Sequence, residues 1–62
     1  MKISDAIKEL TKIKEKYGDL VISGGYLMDY STLRKISVLD DGGHDVNYQW
    51  STGKGYSVFL EG

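Results

Sequence analysis

The feature that most constrains this fold is a change of hydrophobic period at Gly18. Before it, Ala6, Ile7, Leu10, Ile13 and Tyr17 recur at the i, i+3, i+4 spacing that forms one apolar stripe on a helix. Lys8, Glu9, Lys12, Lys14, Glu15 and Lys16 occupy the remaining surface. Ser4 has the chemistry of an N-cap, Asp5 puts negative charge at the positive end of the helix dipole, and Gly18 supplies a left-handed stop. After Gly18 the period becomes two, which predicts strands for the rest of the chain.

The first strand begins at Leu20, with Leu20 and Ile22 on one face and Val21 and Ser23 on the other. Gly24 and Gly25 interrupt it, and Tyr26, Met28 and Tyr30 then alternate with Leu27 and Asp29. Either the strand continues past a bulge or it bends there. A second strand is expected at 33–40. Its hairpin partner at 46–50 follows if 41–43 forms a three-residue loop with Gly43 at positive φ. That register pairs Val38 with Val46, Ile36 with Tyr48 and Arg34 with Trp50, and sets Leu39 against Asp45 on the opposite face. A turn at 51–55 leads to a last strand in which Tyr56, Val58 and Leu60 share a face. The expected architecture is therefore α+β: one domain over 1–62, an N-terminal amphipathic helix packed on one face of a three- to four-stranded antiparallel meander. Its core would hold Ile3, Ala6, Ile7, Leu10, Ile13, Tyr17, Leu20, Ile22, Ile36, Val38, Val46, Tyr48, Val58 and Leu60.

Two stretches resemble chemical motifs. "DDGGHD" at 40–45 contains carboxylates and the chain's one histidine, but it lacks the alternating acids and distal Glu of a calcium loop. It reads as turn chemistry, and no metal site is expected. "TGKG" at 52–55 has neither the upstream glycine nor the following helix of a phosphate loop, so it reads as a turn. With no cysteine there are no disulfides or thiolate zinc sites.

The 62 residues contain no apolar run of membrane-spanning length and no secretory leader pattern, so a cytoplasmic protein without membrane contact is expected. A domain this small buries only about 60% of its unfolded surface, and self-association is a common remedy. Net charge is −1, but it is unevenly spread: 1–18 carries five lysines against three acids, and 19–62 three bases against six acids.

The opening "MKISDAIKELTKIKEKYGDL" and the "VI" that follows resemble the start of small phage and prophage proteins of Gram-positive bacteria, which run helix, Tyr-Gly-Asp, strand. The resemblance covers roughly the first 23 residues and, more loosely, the Asp-Gly-rich turn. It implies an accessory protein of a mobile element, of a kind that often binds and disables host defence proteins or signals in the host cytoplasm. It assigns no functional residues.

With no nucleophile set and little room for a pocket, the chain is expected to be a non-enzymatic, cofactor-free binding protein that self-associates and inhibits a host protein. Tyr26, Tyr30, Arg34, Leu39, Trp50 and Phe59 are the candidate interface residues, since aromatic residues and Arg anchor interfaces. Arg34 and Trp50 could instead only stack on each other. A second class is sequestration of a nucleotide-like ligand, with Gly24 and Gly25 allowing close backbone approach. A third is nucleic-acid binding through Lys8, Lys12 and Lys16, but Glu9 and Glu15 interrupt that stripe and the net charge is far from basic, so nucleic acid is not the expected partner.

Overall fold

The computed structural model describes residues 1–26 and 32–62, with Tyr26 described by its backbone alone. Helix α1 (Ile3–Tyr17) is followed by strands β1 (Val21–Tyr26), β2 (Lys35–Leu39) and β3 (Ser57–Glu61). The α+β class holds, but the sheet is mixed and three-stranded, in the order β1-β3-β2. The last strand is central, antiparallel to β2 and parallel to β1. This replaces the expected meander, and the reason lies in the segment 46–50.

Of the hairpin expected after β2, the turn is present and the return strand is not. Gly43 has φ 83°, the Gly43 amide donates to Asp40 O at 3.1 Å, and the Asp40 amide donates to His44 O at 2.8 Å. Leu39 faces Asp45 in the expected register, and the Val46 amide reaches Val38 O at 3.0 Å. There the pairing ends. Asp45 Oδ1 accepts the Asn47 amide at 2.9 Å and Asp45 O accepts the Tyr48 amide at 2.8 Å, so an Asx-type turn carries the chain away from β2. The expected pairs Ile36/Tyr48 and Arg34/Trp50 do not form, and β3 takes the other side of β2 with Val38 opposite Val58 and Ile36 opposite Leu60.

The helix starts two residues earlier than expected. Lys2, extended at φ −85° and ψ 167°, is the capping position. Its amide is satisfied by Asp5 Oδ2 at 3.1 Å, so Asp5 reaches back from the third helical position and Ser4 lies inside the first turn. At the other end Gly18 has φ 96° and its amide closes on Lys14 O at 2.9 Å. Tyr17 then covers Gly55, where a Cβ would meet the Tyr17 ring and its Cβ at 2.6 to 2.9 Å. That contact fixes the end of α1 to the approach of β3.

β1 does run through its glycine pair, with the register slipping between Ile22 and Gly24. The Ser23 hydroxyl at the slip donates to Ser57 Oγ at 2.9 Å, satisfying a hydroxyl that the sheet buries. Gly25 has a packing role: a Cβ there would lie 3.0 Å from Leu60 O and 3.2 Å from Leu60 Cβ. Gly25→Val is therefore expected to lower stability by roughly 1–3 kcal/mol in urea denaturation, through overpacking against β3; an unchanged midpoint would mean that the close approach is not required.

Alternation along β2 and β3 puts Ile36, Val38, Val58 and Leu60 on the face beneath α1, and Ser37, Leu39, Ser57 and Phe59 on the reverse. Only Val38 and Val58 are buried apolar side chains among the described residues. Several expected core residues are exposed instead: Ile3, Ile7 and Ile22 at 81, 60 and 57%, and Tyr48 at 48%. A helix covers one stripe of a sheet, and α1 lies towards β2, leaving the β1 side open.

Candidate interaction surface

Loop 40–56 is longer than the 12–15 residues beyond which a compact domain's loops are usually either functional or disordered. Its two ends meet, because the Tyr56 amide donates to Leu39 O at 2.8 Å. Such a closed surface loop must be held from within, and Asp40 does this. Its side chain is buried, with Oδ1 accepting the amides of Gly42 and His44, each at 2.9 Å. Oδ2 accepts the Ser51 hydroxyl at 2.8 Å and the Thr52 amide at 3.3 Å. One carboxylate thus ties the first turn of the loop to its last. The His44 amide lowers the Asp40 pKa most, followed by the Ser51 hydroxyl; burial opposes them and the Thr52 and Gly42 amides add to them, taking it from 3.8 to about 2.

With all four of these bonds directed inward, "DDGGHD" is a structural turn. His44 is exposed, 4.0 Å from Asp40 Oδ1 through Nδ1, and its ring stacks on Tyr48 with centroids 5.4 Å apart. Among the described residues no group of three or more His, Cys, Asp or Glu side chains is placed to hold a metal ion, and no helix is long and apolar enough to cross a membrane.

The frame displays aromatic side chains. Trp50 sits in the turn closed by the Ser51 amide on Tyr48 O, and is 73% exposed. Tyr56, at the loop's exit, is 63% exposed. Both lie at the Leu39 end of β2, and Tyr48 is also exposed there. The sequence places Tyr48 in the core, because its alternation with polar neighbours imitates a strand's inner face.

The other expected interface residues are scattered. Arg34 is exposed at the opposite end of β2, with Nη2 donating to Gly62 O at 2.9 Å, so its stacking on Trp50 does not occur. The five residues of β2 separate Arg34 from loop 40–56. Leu39 and Phe59 are half-buried on the reverse face, Phe59 with its ring edge 4.0 Å from where a Gly24 Cβ would be. The Tyr26 side chain and all of Tyr30 lie outside the described residues. On the helix, Lys12 pairs with Glu9 at 3.8 Å and Lys16 stands over the Tyr17 ring at 5.2 Å, so two of the three stripe lysines have local partners.

A second surface lies between α1 and the β1 side of the sheet. It is a groove of about 280 Å³ whose apolar lining is Ile7, Leu10, Ile13, Leu20, Ile22 and Val58, with Lys14 and Asp19 also lining it. Ile3 lies one helical turn before Ile7 on the same flank.

No family model, characterised protein or solved structure matches the chain, so its function has to be argued from these two surfaces.

Proposed function

We propose that the protein is a non-enzymatic binding module that recognises another protein through the aromatic end of loop 40–56. The observation that carries this reading is the combination of a closed, internally bonded loop with an exposed Trp50 and flanking Tyr48 and Tyr56. Rigid loops on a scaffold are where recognition residues sit, and Trp and Tyr are the side chains most often found to dominate binding energy. On the resemblance of residues 1–23 to phage proteins, the target proposed is a host protein that the module inhibits by occupying it.

The test separates recognition from folding. Trp50→Ala is expected to leave the unfolding free energy within about 0.5 kcal/mol of the parent, as for an exposed position. It should weaken a captured target by about thirty-fold or more, the loss seen when a binding anchor is truncated. Tagged parent and Trp50→Ala chains, passed over a lysate of a Gram-positive bacterium and then titrated against whatever the parent retains, measure both. Equal affinity for the two chains would remove loop 40–56 as the recognition site.

A further inference from the structure

We infer that the Asp41–Gly42 linkage is a site of spontaneous isomerisation to isoaspartate, and that the Asp40 carboxylate holds it closed for as long as loop 40–56 stays folded. The chemistry needs only water. The Gly42 nitrogen attacks Cγ of Asp41; the N–Cγ bond forms, a Cγ–O bond breaks, and that oxygen leaves as water with the amide proton and the carboxyl proton. Water then adds to the α-carbonyl of the resulting succinimide and breaks its bond to nitrogen, which leaves Gly42 attached through the side chain of Asp41. The site does not involve Trp50, so it is independent of the recognition surface proposed above.

Such attack is fastest where the residue after the aspartate has no side chain to crowd the nitrogen, and the chain contains one Asp-Gly sequence, at 41–42. Asp41 is exposed, while the side-chain bonds that close the turn are made by Asp40. The fold does not demand glycine at 42. Its φ is not in the left-handed region, unlike that of Gly43, and a Cβ there would meet Asp40 Oδ1 at 3.4 Å and His44 Nδ1 at 3.5 Å, ordinary contact distances. The turn would accept alanine at 42; glycine there leaves the nitrogen open to Asp41.

In the folded loop that nitrogen is occupied. The Gly42 amide donates to Asp40 Oδ1 at 2.9 Å, and to attack it must shed this proton and turn towards Asp41. A carboxylate beside the N–H strengthens the bond and opposes loss of the proton. Asp40 cannot swing aside, because Oδ1 also accepts the His44 amide at 2.9 Å and Oδ2 accepts the Ser51 hydroxyl at 2.8 Å and the Thr52 amide at 3.3 Å. Held below the usual carboxylate range by these donors, it is too weak a base to take the proton itself. Isomerisation therefore waits for the loop to open. Once it occurs, Cβ of Asp41 joins the main chain inside a turn closed by Gly43 N to Asp40 O at 3.1 Å and Asp40 N to His44 O at 2.8 Å. The longer turn does not reclose on those bonds, so opening of the loop is recorded covalently.

The experiment incubates the chain at neutral pH in buffer and in denaturing urea, then digests it and separates the aspartyl and isoaspartyl peptides containing position 41, which have equal mass, and the succinimide, lighter by one water. The parent in buffer is expected to isomerise about ten-fold or more slowly than in urea, as a reaction that requires local opening does. Asp40→Ala in buffer should approach the rate of the unfolded chain, whereas Ser51→Ala, which loosens the loop but keeps the Gly42 bond, should stay near the parent. Gly42→Ala should keep the parent's circular dichroism and isomerise several-fold more slowly than the parent in urea, which identifies the attacking nitrogen. Equal rates for the parent in buffer and in urea overturn the inference, and so does a faster rate in buffer, which would make Asp40 a base that assists the attack. Ser51→Ala as fast as Asp40→Ala, or Gly42→Ala as fast as the parent in urea, overturns it too. If Asp40→Ala fails to fold, hydrogen exchange of the parent decides: a protected Gly42 amide whose opening rises with the isomerisation rate in sub-denaturing urea supports it, and an unprotected Gly42 amide overturns it.

Discussion

Asp40→Ala is expected to lower the melting temperature by on the order of 10 °C. Position 40 looks replaceable in sequence, one of two adjacent aspartates before a glycine pair. In the fold its side chain is buried and accepts four hydrogen bonds, from Gly42, His44, Ser51 and Thr52. Removing it leaves those donors without their acceptor and unties the two ends of loop 40–56. Asp41, exposed beside it, serves as the control, and Asp41→Ala should shift the melting temperature very little. The same group gives the fold an acid sensitivity. Its folded pKa is depressed to about 2 from 3.8, so its contribution is fully present above about pH 4 and is lost as pH falls from 3.8 towards 2. Asp40→Asn should therefore be less stable than the parent at neutral pH, with the gap closing as pH falls through that window. Melting curves of the two chains at successive pH values measure it, and a constant gap would show that the charge of Asp40 is not what holds the loop.

The second large effect is expected at Gly55. A methyl group there would come within 2.6 Å of Tyr17 Cδ1 and 2.9 Å of Tyr17 Cβ, closer than carbon atoms pack, and part of the clash is with atoms next to the helix backbone. Gly55→Ala is thus expected to destabilise by about 1–3 kcal/mol, the usual cost of overpacking. The mechanism predicts a coupling: in a Tyr17→Ala background the ring is gone and Gly55→Ala should cost far less. A double-mutant cycle by urea denaturation gives the coupling energy directly. Additive costs would mean that α1 is not fixed to β3 through this contact.

How much of this could be read in the sequence follows from how local each determinant is. Helix α1 was legible because its stripe and its Gly18 stop are written in consecutive residues. The turn at 41–43 was legible for the same reason, down to positive φ at Gly43 and the Leu39/Asp45 register. The return strand was misread because Val46, Tyr48 and Trp50 alternate with polar residues as a half-buried strand would. The signal against it was Asp45 two residues before Asn47, the spacing of an Asx turn. The parallel pairing of β1 with β3 joins residues about 36 apart in the chain, and no short-range pattern specifies it. The same holds for Asp40, whose bonds to Ser51 and Thr52 span 11 and 12 residues. The candidate surface shifted with the topology. Trp50 kept its place, Arg34 moved to the far end of β2, and Tyr48 and Tyr56 passed from core and strand to the exposed end of the loop.

The exposed loop 40–56 and the groove both depend on β3 lying in the centre of the sheet, since that placement puts the loop outside it and leaves the groove beside β1 open. Nuclear Overhauser contacts of Val58 test this most directly. The account predicts backbone contacts from Val58 to Ile22 on one side and to Val38 on the other. Backbone contacts running instead between residues 34–38 and 46–50, with none from Val58 to Ile22, would contradict it.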